Sequence, residues 1–343
     1  MKKRCSFLAL LLVLSMVLSA CGSTQTETTP EATDQQSEKT YVINFGHGGA
    51  AETAQGVGGE ALKEYIERES NGRITVNVYH AGQLGTDREL AEGTQDGTVQ
   101  MCLTNANQVA FVPDTAVFDL FFEYKDIDSV IEKYRNDQNF RSVIEPKYEA
   151  AGYKLCGYSV HGFRNITANK PIYTPEDLKG MTFRTQANDY QIYAMECLDT
   201  VVTPTTFAEL YTALQQGTVE AQETSDELMI SQKLYEQQKY VTLTHNQEQV
   251  QTWIMNLDFY NSLPDDLKKV VDDGCTYACD AAQKFAFDME DEWQQEIIDG
   301  GCTYIELTPE QLDAFKAAVA PQWEKVKNDV DPAVWDAYMA GLE

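Results

Sequence analysis

The sequence predicts an α/β protein with two similar lobes, and three observations support this prediction. Residues 41–104 alternate strand-like and helix-like segments in the order β-α-β-α-β, which is typical of an α/β domain. The same alternation returns between residues 174 and 224. Within these two regions, residues 86–100 and 206–220 are identical at seven of fifteen positions without a gap.

Alternating apolar residues, helical apolar faces and glycine stops define the elements of each region. The first region predicts, in order, a strand at 41–45, a glycine-rich loop at 46–49, a helix through Leu62 and Ile66, a strand at 74–78, a helix from Thr86 and a strand at 99–104. The second predicts a short helix from Pro175, a strand at 181–185, a helix at 190–198, a strand at 201–202 and a helix at 206–216. The chain then turns helical from Pro264 to Trp293, with a strand at 303–307 and a capped helix after Thr308.

The matching segments share one local design. Each has a Thr-x-x-Glu capping box, beginning at Thr86 or Thr206, and a glycine stop at Gly97 or Gly217 before a strand that starts Thr-Val. A structural repeat would produce this match, and so would convergence on a common helix–strand template. In either case two α/β lobes lie about 120 residues apart, and a cleft between lobes is a natural site for a small molecule.

The net negative charge of the chain argues against nucleic acids as partners. The 343 residues include 54 acidic and 26 basic side chains, so the formal charge is -28. A chain this acidic does not bind phosphate backbones or anionic membrane surfaces by charge, and we therefore expect no nucleic-acid partner. Its many aromatic and branched residues also argue against disorder.

The amino-terminal segment has the layout of a secretory leader. A basic cap at 2–4 precedes an apolar run from Phe7 to Leu18, too short for a comfortable membrane span, and the run ends in Leu-Ser-Ala-Cys-Gly. That ending resembles a lipoprotein box, which predicts a signal peptide at 1–20 and a lipidated (palmitate-bearing) Cys21. The alternative is an ordinary signal peptide with a chance cysteine. Residues 21–39 are Ser, Thr, Gln, Glu and Pro rich and predict a flexible tether. The protein is thus expected to be extracytoplasmic, lipid-anchored to the outer face of the cell membrane, with a mature charge of -31.

No catalytic or metal-binding motif accompanies these features. Four histidines lack ligand spacing, and G-x-S-x-G, P-loop and Rossmann fingerprints are absent from the sequence. We therefore expect a protein that is not an enzyme and has no cofactor, no catalytic residues and no metal. Six cysteines follow the leader without paired zinc spacing, and buried free thiols are favoured over disulfides.

Arginine is scarce, which makes its positions informative. Seven arginines follow the leader, and the last two, Arg164 and Arg184, lie in strand-like sequence. A guanidinium group grips a carboxylate with two parallel hydrogen bonds. An internal ion pair with one of the many acids is the alternative role.

The stretch from Asn165 to Thr224 contains ANKPIYTPEDLKGMTFRTQ and TPTTFAELYTALQQGTVEAQET. The pattern P-x-D-L-K-G…R followed by F-x-E-x-Y-x-A-L-Q-x-G closely resembles the extracytoplasmic substrate-binding proteins of tripartite ATP-independent periplasmic (TRAP) transporters, the DctP type. The similarity extends to GQLGTDREL at 82–90 and LPDDLKKVV at 263–271. The resemblance implies a two-lobed, type II-like periplasmic-binding-protein fold, with lobes joined by crossing strands and a long helix and a cleft between them.

The resemblance also implies a set of ligand-binding residues. Arg184 would clamp the ligand carboxylate, Arg164 would be a second contacting arginine, Asn105 would occupy a cleft position and Phe207 would line the pocket. Further cleft-facing positions fall on Asp87, His47 and Gly48.

Two departures from the family pattern concern the same site. Thr224 replaces an amide that usually contacts ligand, and the chain has Gln186 and Asn188 where a proline usually follows the arginine by two residues. These changes indicate a rearranged set of polar contacts, so specificity does not transfer from a relative.

These features together predict a transport receptor. The protein would capture a carboxylate-containing small molecule, either a sugar acid such as a uronate, aldonate or sialic acid, or a C4-dicarboxylate, and deliver it as a monomer to an ion-gradient-driven TRAP permease. A ligand-sensing module for a membrane sensor kinase and an exported hydrolase are the alternatives. The predicted cleft is locally positive.

The lobes are expected to interleave. Residues 40–161 with 250–289 would form lobe 1, and residues 162–249 with 290–343 would form lobe 2. The chain would cross between them near His161-Gly162 and Gln249-Val250. Gln249 and Trp253 lie close to this crossing, where Gln249 could reach ligand and Trp253 is expected to pack in the core.

Overall fold

The computed structural model describes residues 39–342, except for the side chains of Ala106 and Asn107. The predicted signal peptide, the lipidated Cys21 and the tether up to residue 38 lie outside the described residues. Within residues 39–342, no helix has both the length and the hydropathy needed to cross a membrane.

The described residues form nine strands and twelve α-helices. The strands are β1 (Tyr41–Gly46), β2 (Ile74–Tyr79), β3 (Met101–Thr104), β4 (Tyr153–Ala168), β5 (Thr182–Arg184), β6 (Val201–Val202), β7 (Ala221–Thr224), β8 (Tyr240–Asn256) and β9 (Thr303–Glu306). The helices are α1 (Ala54–Glu69), α2 (Asp87–Asp96), α3 (Ile127–Ile131), α4 (Gln138–Ala150), α5 (Asp189–Cys197), α6 (Phe207–Gln215), α7 (Asp226–Ser231), α8 (Leu257–Ser262), α9 (Asp265–Asp299), α10 (Pro309–Ala318), α11 (Ala320–Asp329) and α12 (Pro332–Met339).

The nine strands belong to one mixed sheet in the order β2-β1-β3-β8-β4-β7-β5-β6, with β9 beside β8. One end of the sheet contains the parallel group β2-β1-β3, and the other contains the parallel group β7-β5-β6. The long antiparallel pair β4 and β8 connects the two ends of the sheet. Strand β3 pairs with the last residues of β8, and β7 pairs with the last residues of β4. The predicted α/β character and the two similar halves are therefore both present.

Strands β4 and β8 do not run in regular register. Their pairing shifts between Leu155 and Gly157, between Val160 and Phe163, and between Arg164 and Ile166. The middle shift includes Gly162, whose φ of +101° favours glycine. Bulges bend a strand and increase its local twist, and these shifts include the positions where the chain was expected to cross between lobes. The lobe boundaries themselves stay a prediction.

The two matching segments adopt the same helix–turn–strand structure. Helix α2 ends at Gly97 with φ +83°, and α6 is followed by Gly217 with φ +68°. Each strand begins later than predicted, at Met101 and Ala221, because the intervening residues complete the turn. The caps differ in one respect: Thr86 forms a full capping box, whereas Thr206 only donates its hydroxyl to the Glu209 side chain, at 2.6 Å.

Helix α9 and the aromatic side chains anchor the core near β1. This 35-residue helix packs along α1 and β4. Trp253 is fully buried, stacks on Phe45 with ring centroids 5.2 Å apart and donates its indole N–H to Ser159 Oγ at 3.0 Å. Trp253 is therefore a core residue, as predicted.

The end of the chain packs on the first half of the sheet as well as the second. Val334 and Tyr338 of α12 share an apolar cluster with Tyr134, Phe140 and Tyr153. Helix α11 also contacts α5. The six cysteines of the described chain are free thiols, and burial raises the pKa of Cys102 to about 12, so this thiol is inert at neutral pH.

Candidate functional site

A small cavity lies where β4 and β8 change register. Its lining is dominated by hydrogen-bonding side chains. Six of them are amides, namely Asn105, Gln108, Gln186, Gln191, Gln247 and Gln249. The other polar side chains are those of Thr115, Asp119, Tyr134, Arg164, Glu248 and Thr252, and the apolar ones are those of Phe118 and Val250. A cavity so rich in polar groups is built to hold a polar molecule.

Arg164 is held in an internal ion pair. Its Nε donates to Glu223 Oε2, and its Nη2 donates to both Oε1 and the carbonyl oxygen of Glu223, each at 2.9 Å. Its Nη1 donates to Gln249 Oε1 at 2.6 Å. Both Arg164 and Glu223 are buried, so the fork-to-carboxylate geometry compensates two desolvated charges. Arg164 lines the cavity, but its charge is already neutralised.

Replacing Glu223 with glutamine is expected to lower the free energy of unfolding by about 3 kcal/mol, because Arg164 would remain buried without a counter-charge. Urea unfolding monitored by tryptophan fluorescence measures the change. Glu220→Gln is the matched control, since Glu220 is exposed and three residues away. A loss below about 1 kcal/mol would show that the ion pair does not stabilise the fold.

Arg184 has the opposite environment. It ends β5 and is only 2% exposed, and its Nε donates to the carbonyl oxygen of Thr205 at 2.9 Å. Within the described chain, neither terminal nitrogen has a hydrogen-bond acceptor and no carboxylate lies within ion-pair distance. Burial lowers the pKa of Arg184 to about 10; the charge of Glu223 opposes this shift and that of Arg164 adds to it. A buried guanidinium with two unfilled nitrogens is poised to receive an anion.

The predicted site residues separate into three groups. Arg164 and Asn105 line the cavity. Arg184 is not among the described residues of the lining, but it ends β5 two residues before Gln186, which lines the cavity. Thr224 is buried at the end of β7, next to Glu223 and paired with Asn165. The departures noted in the sequence are located here too.

Gln186 lines the cavity, while Asn188 caps α5 and donates its side-chain amide to Asp119 Oδ2 at 2.8 Å. One of the two extra amides therefore faces the cavity, and the other positions an acid in its wall.

His47, Gly48 and Asp87 form a second group, between the end of β1 and the start of α2. A Cβ atom added to Gly48 would lie 3.0 Å from Asp87 Oδ1, so these residues are adjacent. His47 is buried with its Nε2 3.0 Å from His80 Nδ1, and burial and the neighbouring His80 lower its pKa to about 4. Burial raises the pKa of Asp87 to about 6. None of the three lines the cavity formed by the described residues.

Phe207 stands apart from both groups. It begins α6 and packs, partly buried, against the apolar cluster that contains Leu210, Leu214 and Val219. It is not among the described residues that line the cavity. Its packing role is therefore visible in the structure, and its ligand contact stays a prediction.

Asp119 is an acid in the cavity wall that the sequence analysis did not select. Its Oδ2 accepts from Asn188, and its Oδ1 accepts from Gln191 at 3.3 Å and Gln247 at 3.5 Å. Burial raises the pKa of Asp119 to about 7, although these amide donors oppose the shift. A single acid inside the apolar run AVFDLFF was the available sequence signal.

Glu248 is the second such acid, and it is paired with Glu123. Tyr134 donates its hydroxyl to Glu248 Oε1, and Tyr338 donates its hydroxyl to Glu123 Oε1 at 2.8 Å. Burial raises the pKa of Glu248 to about 8 and raises that of Glu123 well above its usual range, where the adjacent Glu248 charge raises it further. Both acids therefore bind protons at higher pH than exposed glutamates do.

The acids make the cavity less positive than predicted. Of the two arginines, only Arg184 has an uncompensated charge, and Asp119 and Glu248 both contribute carboxyl groups to the lining. The described residues contain no cluster of three His, Cys, Asp or Glu side chains arranged to hold a metal ion.

Two α/β halves that share two long strands, with a buried polar cavity at the crossing, define a two-lobed solute-binding protein of the periplasmic-binding type. The chain matches the family model of bacterial extracellular solute-binding proteins, family 7 (DctP), over residues 45–329, and it belongs to this family.

Known relatives agree with this assignment. The C4-dicarboxylate-binding periplasmic protein DctP of Rhodobacter capsulatus is 30% identical over 283 residues, which cover 82% of this chain and 84% of the relative. A TRAP periplasmic solute-binding protein from Shewanella oneidensis, solved with bound succinate, superposes with a TM-score of 0.83 at 25% identity and covers 89% of this chain and 100% of its own. Another, from Sulfitobacter sp. NAS-14.1 with bound β-D-galacturonate, gives 0.81 at 25% identity, covering 87% and 98%.

Proposed function

We propose that the protein captures a carboxylate-containing small molecule in the cavity beside Arg184 and delivers it to the permease subunits of a TRAP transporter. The observation that carries this proposal is the buried guanidinium of Arg184, whose two terminal nitrogens have no acceptor among the described residues. A ligand carboxylate would fill both nitrogens in a bidentate pair. The relatives solved with succinate and with galacturonate support an organic acid as the ligand class.

Closure of the two lobes would couple binding to delivery. The lobes would comprise residues 40–161 with 250–289 and residues 162–249 with 290–343, with bending at the register shift between Val160 and Phe163. Ligand contacts made from both sides favour the closed state over the open one, and the permease can recognise the closed state. Closure also removes water from the carboxylate–Arg184 pair, which strengthens their attraction.

A thermal-shift screen with matched ligands tests the proposed function. D-Galacturonate, D-galactonate and succinate are each compared with an uncharged counterpart of similar shape, namely galactose, galactitol and succinamide. A ligand present at about 100 times its Kd stabilises the folded state by about 2.7 kcal/mol. We expect at least one acid to raise Tm by several degrees and its counterpart to have no effect. Equal shifts with the uncharged counterparts, or no shift with any acid, would contradict the proposal.

We propose further that the mature protein is tethered to the outer face of the membrane through a lipid on Cys21. The basic cap, the short apolar run and the cysteine after Ala20 support this proposal. Cells grown with an alkyne analogue of palmitate should yield labelled protein from the native gene and unlabelled protein from a Cys21→Ala variant. Labelling of both would contradict the proposed anchor.

A further inference from the structure

Amide and carboxyl side chains form most of the cavity lining besides Arg164. We infer that the ligand is a monocarboxylate bearing several hydroxyl groups, and that Asp119 and Gln191 select these hydroxyl groups against a second carboxylate. This inference rests on the proposed function, because it takes an organic acid bound at Arg184 as its starting point.

Among the buried arginines of residues 39–342, one has a positive charge available to a ligand. Arg164 is matched by Glu223 through three hydrogen bonds, and a fourth joins it to Gln249. Arg184 is the other buried arginine, and its charge has no ion-pair partner in the described chain. One uncompensated guanidinium neutralises one carboxylate. A second ligand carboxylate would have to enter a desolvated space without a counter-charge, which is strongly unfavourable.

The side-chain oxygen of Gln191 lacks a hydrogen-bond donor within the described residues. Gln191 is 1% exposed, and its Nε2 donates to Asp119 Oδ1 at 3.3 Å and to Gln247 Oε1 at 3.1 Å. These two bonds fix the orientation of the amide. Its Oε1 is buried and has no donor within the described residues. A buried acceptor without a donor is costly, and a ligand hydroxyl can supply the missing O–H, whereas an ionised carboxylate cannot.

Asp119 adds repulsion to this mismatch. It lines the cavity and accepts three amide hydrogen bonds, each of which favours its ionised form. A second ligand carboxylate would therefore bring like charges together in a low-dielectric space. Hydroxyl groups instead donate to Asp119 and accept from amides such as that of Gln186.

Two pairs of acids test the inference by isothermal titration calorimetry of the purified full-length mature chain. The two acids of each pair have the same number of carbon atoms and differ at one terminal carbon. L-Threonate and L-tartrate differ only at C4, and D-galactonate and galactarate differ only at C6, where a CH₂OH group is replaced by a carboxylate. We expect the monocarboxylate of the better-binding pair to have at least a tenfold lower Kd than its dicarboxylate. A preference for the dicarboxylate, or tighter binding of succinate than of both hydroxy acids, would overturn the inference and leave the proposed function standing. Binding of none of these acids would overturn both.

Asp119→Asn tests the role of the acid itself. Asparagine keeps an acceptor oxygen for Gln191 and removes the carboxylate charge, so we expect the ratio of the galactarate Kd to the galactonate Kd to fall at least threefold. Glu324→Gln is the control, because Glu324 is exposed on α11. An unchanged ratio would show that Asp119 does not discriminate between the two ligands, which would overturn its assigned part. Circular dichroism and Tm of each variant confirm that the fold is retained.

Discussion

Arg184→Ala is expected to weaken binding of the tightest-binding acid of the thermal-shift panel by at least 100-fold. The loss of one partner from a buried, hydrogen-bonded charge pair costs about 2–5 kcal/mol, and each 1.4 kcal/mol is a factor of ten in Kd. Arg184→Lys should recover little of this loss, since an ammonium group is a point charge and cannot form the two parallel bonds of a guanidinium. Calorimetric titration measures both variants.

The same substitution should leave the ligand-free protein nearly as stable as the wild type. Arg184 is desolvated while making one hydrogen bond, to Thr205, so its removal deletes an unfavourable charge along with some packing. We expect the free energy of unfolding to change by less than about 1 kcal/mol, which separates lost binding from lost folding. Arg88→Ala serves as the charge control, because Arg88 is exposed on α2 and pairs with Glu92 at 3.0 Å. An Arg184→Ala protein with Kd within threefold of wild type would exclude the carboxylate clamp.

Local sequence signals predicted the elements that are local in the chain. Capping residues and glycine stops located α2 and α6, and the alternation of Ile74, Val76 and Val78 located β2. The long strands β4 and β8 carried no such signal. Their burial alternates poorly because they are covered on both faces across much of their length, and bulges interrupt the period of two. Their pairing joins residues about 90 apart, such as Ser159 with Gln251, and sequence periodicity contains no information about such contacts.

In the site, too, the sequence predicted local features and missed those that depend on contacts between distant residues. The sequence motif identified Arg164 and Arg184, but it did not distinguish the ion-paired arginine from the uncompensated one, because Glu223 meets Arg164 only through the pairing of β4 with β7. The sequence did not single out Asp119 and Glu248, because what distinguishes them from the many other acids is their burial in the cavity wall. Gln247, Glu248 and Gln249 occur as a polar run within a buried strand, and Asp119 is joined to them by side chains from α5. Polar residues inside an apolar pattern were the available hint.

The ligand-free protein is expected to lose about 2 kcal/mol of stability as the pH rises from 6.5 to 8. The pKa of Glu248 is about 8 and that of Asp119 about 7 in the folded protein, and that of Glu123 is raised well above its usual range. In the unfolded chain these acids are already ionised above pH 6. The folded state therefore holds more protons than the unfolded state in this window, so stability falls with rising pH by about 1.4 kcal/mol per pH unit for each proton held. Urea unfolding at closely spaced pH values measures the slope.

The groups around Glu123 and Glu248 determine which variant isolates the contribution of these acids to the pH dependence of stability. Glu123 and Glu248 face the phenols of Tyr124, Tyr134 and Tyr338, and the carboxyl group of Asp119 acts on both acids at longer range. The phenol pKa values are raised well above 10, so the tyrosines do not titrate in this window. Burial lowers the pKa values of His47 and His245, so these residues act in the opposite direction, but their unfolded forms have nearly finished losing protons by pH 7.5.

Glu123→Gln should flatten the slope, since glutamine keeps an acceptor for Tyr338 and can donate to Glu248 without holding a titratable proton. We expect the decline between pH 6.5 and 8 to shrink by about half, while Glu324→Gln retains the full decline. A wild-type stability that is constant or rises across this range would show that the two glutamates do not retain protons in the folded protein at neutral pH. The same variant also separates fold from site, because Glu123 is absent from the lining of the cavity whereas Glu248 belongs to it. If the pH dependence of ligand affinity changes in Glu123→Gln, Glu248 would transmit the effect, because it lines the cavity and interacts with Glu123.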